Sequence, residues 1–168
     1  MTLKIRSLCE EDPAQISVAF DQIGWNRPAE QYEAYLREQD AGDLHVPVAI
    51  SGEVFAGYVT VKWKPGYAPF ADACIPEIQD PNVLPQNRRC GIATALMGRA
   101  EALVRERSST VGIGVGMYPG YGNAQRLSVL RGYVPDGRGL TYNEEVLPPM
   151  AATVNDDDLV LYFTKQLL

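Results

Sequence analysis

The stretch Val83–Val104, VLPQNRRCGIATALMGRAEALV, decides how this chain folds. An apolar strand end passes into a short basic loop bearing Gly91, and a helical pattern follows at once. Ile92, Leu96, Ala100, Leu103 and Val104 recur at three- and four-residue steps, which predicts one buried face with Arg99, Glu101 and Arg105 turned to water. The first turn of such a helix leaves N–H groups without intrahelical partners, and the helix dipole makes that end positive. With Arg88 and Arg89 alongside, and with Gly91 and Ala93 small enough for a ligand to lie against the backbone, the loop suits a phosphate or pyrophosphate. Taken alone, R-x-x-G-x-A is better explained as an ordinary strand-to-helix turn with solvated arginines. Its weight comes from its neighbours.

Upstream, residues 74–84, CIPEIQDPNVL, read as the strand feeding the loop. Pro76 and Pro81 each remove a ladder donor and predict a bulge or a locally unpaired strand. Residues 64–73, KPGYAPFADA, read as a proline- and glycine-rich loop. Before them HVPVAIS and EVFAGYVTVKW, joined at Ser51 and Gly52, form an antiparallel hairpin. Leu3, Ile5 and Ser7 mark a first strand; one helix opens at Glu10–Pro13 and runs to about Phe20, and a second follows Pro28 and closes at Gly42. Trp25, Tyr32 and Tyr35 read as core before pocket lining, and His45 as a surface or packed residue at a strand start.

Downstream, TVGIGVGMYPGYG is a strand and turn whose glycines fit either the approach of a ligand or tight packing. NAQRLSVLRGY is a helix with Asn123 as its cap and Gly132 at its end. The final strand, DLVLYFTKQL, is expected at a sheet edge, where LVLYF would suit pairing with a second copy in a homodimer. The run Asp156–Asp158 reads as a solvated loop, with attraction for a cationic amine as its alternative.

The 168 residues are expected to form one domain over positions 1–168; 46% of them are hydrophobic and 21% charged, as in a folded chain. A net charge of -6 speaks against a nucleic-acid partner. Three separated cysteines and a single histidine give no zinc or disulfide pattern, so no metal is expected. No run reaches the length of a membrane span, and the start has no signal-peptide pattern, so the expected location is cytoplasmic, with no membrane partner.

Two motifs in order, EIQDPNVLPQNRRCGIA at Glu77–Ala93 and AQRLSVLRGY at Ala124–Tyr133, give nearly the whole chain a resemblance to the GNAT N-acyltransferase superfamily. The resemblance implies an α/β (α+β) fold with a mixed, mostly antiparallel central sheet, splayed at its middle strands and flanked by about four helices. It implies acetyl-CoA as co-substrate and an N-acetyltransferase that moves the acetyl group directly to a primary amine, with Glu77 as general base. The backbone of Val83 and Leu84 would hold the pantetheine arm, and Arg88, Arg89, Cys90, Gly91, Ile92, Ala93 and Thr94 the pyrophosphate. Asn123 and Ser128 would lie near the cofactor in the second motif. Cys90 is given no nucleophilic role.

The chain departs from the family pattern at Ser128, which stands where relatives often place the tyrosine that protonates the departing thiolate. Tyr118 and Tyr121, just upstream, are the substitutes, and Tyr121 is carried as the candidate acid. The acceptor, a small-molecule amine or a peptide amine, would be shaped by Pro13–Gly42 and Asp136–Asp158. The alternative is an acyl-CoA-binding or sensing protein with little or no transfer, motivated by Ser128. A nucleotide module of another fold is disfavoured because G-K-[ST] and G-x-G-x-x-G endings are missing.

Overall fold

The structure is a computed structural model that describes residues 2–168. The chain packs as two compact units made of alternating segments. The first comprises the chain up to Lys62 together with Gln79–Leu103; the second comprises Trp63–Ile78 and Val104–Leu168.

In the first unit, β1 (Leu3–Ser7), β3 (Pro47–Ser51) and β4 (Val54–Lys62) lie side by side and antiparallel, with the two-residue β2 (Leu44–His45) paired to β4. Helices α1 (Asp12–Asp21) and α2 (Ala29–Asp40) follow β1, with Pro13 at the start of α1, where its missing N–H costs nothing. Ile16 and Phe20, four residues apart on α1, join Tyr32, Val46, Val48, Phe55, Tyr58 and Leu84 in one buried cluster. Tyr32 is therefore core, as its spacing predicts, whereas Trp25 stays 37% exposed. The bidentate contact from Arg6 to Asp12, at 2.6 and 2.8 Å, ties β1 to α1. Burial alone would raise the Asp12 carboxyl, but hydrogen bonds from Arg6 and from the Cys9 N–H outweigh it and hold the group below its ordinary range.

Strand β5 (Glu77–Val83) belongs to both units, since its first two residues lie in the second and the rest in the first. Helix α4 (Ile92–Arg105) buries Ile92, Leu96, Ala100, Leu103 and Val104 as predicted. Glu101 departs from the prediction: it is 4% exposed, because Met97 and Val104 on its own side are also buried and widen the apolar arc around the helix.

In the second unit, β6 (Thr110–Gly116) pairs antiparallel with β9 (Leu159–Gln166) over its whole length, β9 with β7 (Val134–Tyr142), and β7 with the short β8 (Glu145–Val146). The final strand thus lies between two others, and the expected exposed edge at LVLYF is not there. Chain order does not fix strand order. The glycines of β6 resolve in favour of packing: a Cβ at Gly112 would come 2.2 Å from the Phe70 ring, and one at Gly114 2.8 Å from Tyr162. Phe70 lies on α3 (Ala68–Asp72), a five-residue helix inside the segment expected to be loop. Helix α5 (Gly122–Leu130) begins one residue early, so that Asn123 is exposed within its first turn and is not the cap.

The fold is the mixed, mostly antiparallel α/β arrangement anticipated, with five α-helices among the described residues. No helix among these residues is long and apolar enough to cross a membrane.

Candidate active site

The phosphate-binding candidate is built by β5, the turn after it and the start of α4. Leu84 donates its N–H to the Ala56 carbonyl at 2.9 Å, holding the strand end on β4, and its own carbonyl accepts from Asn87 at 2.8 Å. Successive strand residues direct their backbone groups to opposite edges, so those of Val83 point away from β4. Of the two residues expected to hold pantetheine, Leu84 has both backbone groups engaged within the fold. The Val83 carbonyl accepts from Arg88 Nε at 3.2 Å. The chain then turns through two left-handed residues, Arg89 at φ 60° and Gly91 at φ 78°. Arg88, Arg89, Cys90 and Gly91 are all exposed, and a Cβ added at Gly91 would meet nothing within 4 Å. Ala95 is bonded to the Gly91 carbonyl, so the N–H groups ahead of it have no carbonyl four residues back within the helix. Ile92 turns inward while Ala93 is half-buried and Thr94 exposed. Cys90 Sγ contacts the Arg88 carbonyl at 3.4 Å, and the thiol has no base beside it in that contact.

Midway along β5, Asp80 adopts φ 49° inside the strand, the mark of the bulge that Pro81 announces. Its Oδ2 accepts from Tyr58 Oη and, at 3.1 Å, from Tyr35 Oη; its Oδ1 accepts from Asn82 Nδ2 at 2.6 Å. Arg27 approaches Oδ1 at 4.0 Å. Burial and the neighbouring carboxylate push the Tyr35 phenol up to about 12 and Tyr58 higher still. Of these partners, the sequence pattern marks only Tyr35, as core before pocket lining.

The second unit holds the proton-transfer candidates. Glu77 is 3% exposed and stands beside Gly112 in a parallel pairing of β5 with β6 that also takes in Ile78 and Ile113. Its charge helps to raise the Tyr162 phenol, whose largest cause is burial. Tyr162 stacks on Tyr67 at 3.7 Å, and Tyr67 donates to Asp136 at 2.7 Å. Tyr118 and Tyr121 both donate to Asp157 Oδ1, at 2.5 and 2.8 Å. Burial and then this carboxylate raise the Tyr121 phenol, so its proton is tightly held. The acidic run is therefore not simply solvated: Asp157 gathers two tyrosines and Asp156 accepts from Tyr142 at 2.9 Å. Ser128 is buried, and its hydroxyl donates back to the Ala124 carbonyl at 2.8 Å within α5. Its side chain is occupied inside its own helix and offers no donor to a ligand.

The model of the acetyltransferase (GNAT) family matches residues 8–117, well over half of the chain. This protein belongs to the GNAT family. Its fold superposes over 100% of both chains on an N-acetyltransferase from Staphylococcus aureus Mu50, with a TM-score of 0.74 at 13% identity. A Salmonella typhimurium protein solved with its cofactor acetyl-CoA matches 99% of this chain and 95% of its own, with a TM-score of 0.71 at 15% identity. The ribosomal-protein-alanine N-acetyltransferase of Brucella melitensis matches 98% and 99%, with a TM-score of 0.71 at 17% identity. No curated protein matches the sequence. At such identities the likeness of this GNAT chain to solved structures is one of fold. Among its described residues, no three His, Cys, Asp or Glu side chains gather as a metal site.

Proposed function

We propose that this GNAT protein is an acetyl-CoA-dependent N-acetyltransferase that acts on a primary amine by direct transfer. The observation carrying the reading is the start of α4, where an exposed, left-handed Gly91 brings first-turn backbone N–H groups, which have no carbonyl four residues back within the helix, and two arginines to one loop. Such a loop neutralises a phosphate without needing a particular side chain. The backbone of Val83, with Leu84 fixing the strand end, would take the pantetheine arm, and Arg88–Thr94 the pyrophosphate. Bound there, acetyl-CoA supplies an activated acyl thioester.

The remaining chemistry belongs to the chain. Glu77 removes the proton from the attacking amine; a glutamate of ordinary pKa is a weak base towards an ammonium, so its shielded position or a relaying water carries the step. Tyr121 can reach the departing sulfur as a donor only by turning its single O–H away from Asp157; while that bond holds, the sulfur leaves as the thiolate, a weaker base than a phenolate.

A second reading, an acyl-CoA-binding or sensing protein, is favoured by one observation: Ser128 and both tyrosines already spend their protons inside the protein. Calorimetry with acetyl-CoA on the wild type and on Gly91→Glu tests the cofactor site. Binding abolished by the substitution, with circular dichroism unchanged, is expected; no binding by the wild type overturns the proposal. Amine-dependent thioester cleavage then separates transferase from sensor, and its absence across a broad amine panel supports the sensor.

A further inference from the structure

We propose that Arg27 and Asp80 form the acceptor subsite, and that it takes an α-amino acid with a free carboxylate. The inference rests on the transferase reading for the fate of the amine, but binding itself does not.

The argument begins with an ion pair that is not closed. A carboxylate offers about four acceptor positions. Asp80 uses three, for Tyr35, Tyr58 and Asn82, which hold it firmly without help from Arg27. The remaining position lies on Oδ1, the oxygen that Arg27 faces at 4.0 Å. That separation exceeds the range of about 2.7–3.2 Å for an N–H···O bond. Arg27 itself rests 5.7 Å from the centre of the Phe20 ring and makes no hydrogen bond among the described residues. A latch between the α1–α2 connection and β5 would close this gap. Instead, both charged side chains remain about one-third accessible, at 30% for Arg27 and 27% for Asp80.

A planar guanidinium with unused donors matches a carboxylate, and a carboxylate with an unused lone pair matches an ammonium. The two charges lie close together, which selects a ligand whose own opposite charges share one carbon. Aromatic rings surround the pair. Tyr35 and Tyr58 stand beside Asp80, and the exposed Trp25 stacks on Phe20 at 5.8 Å, so an apolar side chain on the ligand has surface to cover. The place in the chain also fits: Asp80 lies three residues before Val83, about 10 Å along the strand that would carry the pantetheine.

The test is ligand-observed NMR on the whole protein with the standard L-amino acids, their amides and the corresponding acids without the amine. At least one amino acid should bind, with its amide and its deaminated form weaker by about tenfold or more, the value of one charge-assisted hydrogen bond. Arg27→Gln should reduce that amino acid to the level of its amide, Arg27→Lys should recover only part of the loss, and acetyl-CoA binding should be unchanged in both. Amides that bind as tightly as the acids would overturn the proposal and point to a peptide acceptor or a solvated ion pair. So would a wild type that binds acetyl-CoA but no amino acid. Amino-acid binding without acetyl-CoA binding would uphold the subsite and remove the transferase reading.

Discussion

The two ends of β5 form a contrast. At Glu77 and Ile78 the strand is buried and bonded to β6; beyond Asp80 it leads into an exposed, cationic turn that presents backbone rather than side chains. A cradle for an anion needs only consecutive N–H groups and a glycine that can turn left-handed, so one short segment makes it. Proton chemistry needs side chains shielded from water, and those come from far along the chain. One strand can therefore carry a locally encoded site and a globally encoded one.

The largest effect that would break this contrast is at the exposed end. Gly91→Glu should abolish acetyl-CoA binding, whereas Gly91→Ala, which meets open space and places its left-handed strain of about 1–2 kcal/mol on the folded protein, bound or free, should leave binding nearly unchanged. Equal losses in calorimetry would mean that conformation, and not charge and bulk, makes the site. Next comes Glu77→Gln, expected to slow amine-dependent thioester cleavage about 100-fold while acetyl-CoA binds as before. A loss of binding instead would turn Glu77 into a structural residue.

The buried end should respond in stability. Gly112→Val sets a branched side chain against Phe70 and should destabilise by about 1–3 kcal/mol, read as a lower Tm, with Gly91→Ala causing a smaller shift. The smallest effect concerns acid. The Asp12 carboxyl is depressed in the folded protein, so its contribution is complete above the unfolded value and disappears as pH falls through the folded one. Asp12→Asn should therefore remove part of the stability lost below about pH 4 and leave the acetyl-CoA site intact. An unchanged acid limb in urea titrations would refute it.

Legibility followed the same division. The turn at Gly91 and the inward face of α4 could be read because spacing and turn chemistry act within a few residues, and Pro81 gave away the bulge. The partners of Asp80 could not be read: Tyr35 is 45 residues away, and Asp157 is 39 from Tyr118. The Asp80-Pro81 pair inside a strand signals a backbone irregularity but carries no mark of which side chains the carboxylate will meet. Helix α3 is too short for periodicity to show, and the alternation in β9 reports burial, not that β6 and β7 flank it.

The place of β9 also sets a timetable. Every segment of the first unit has been synthesised by Leu103, whereas β9, which lies between β6 and β7, is complete only at Gln166. During translation the cofactor-loop half can collapse while the other half still waits for its inner strand. A ribosome stalled in between would hold a nascent chain with two unpaired strand edges, the kind of surface that chaperones and aggregates compete for.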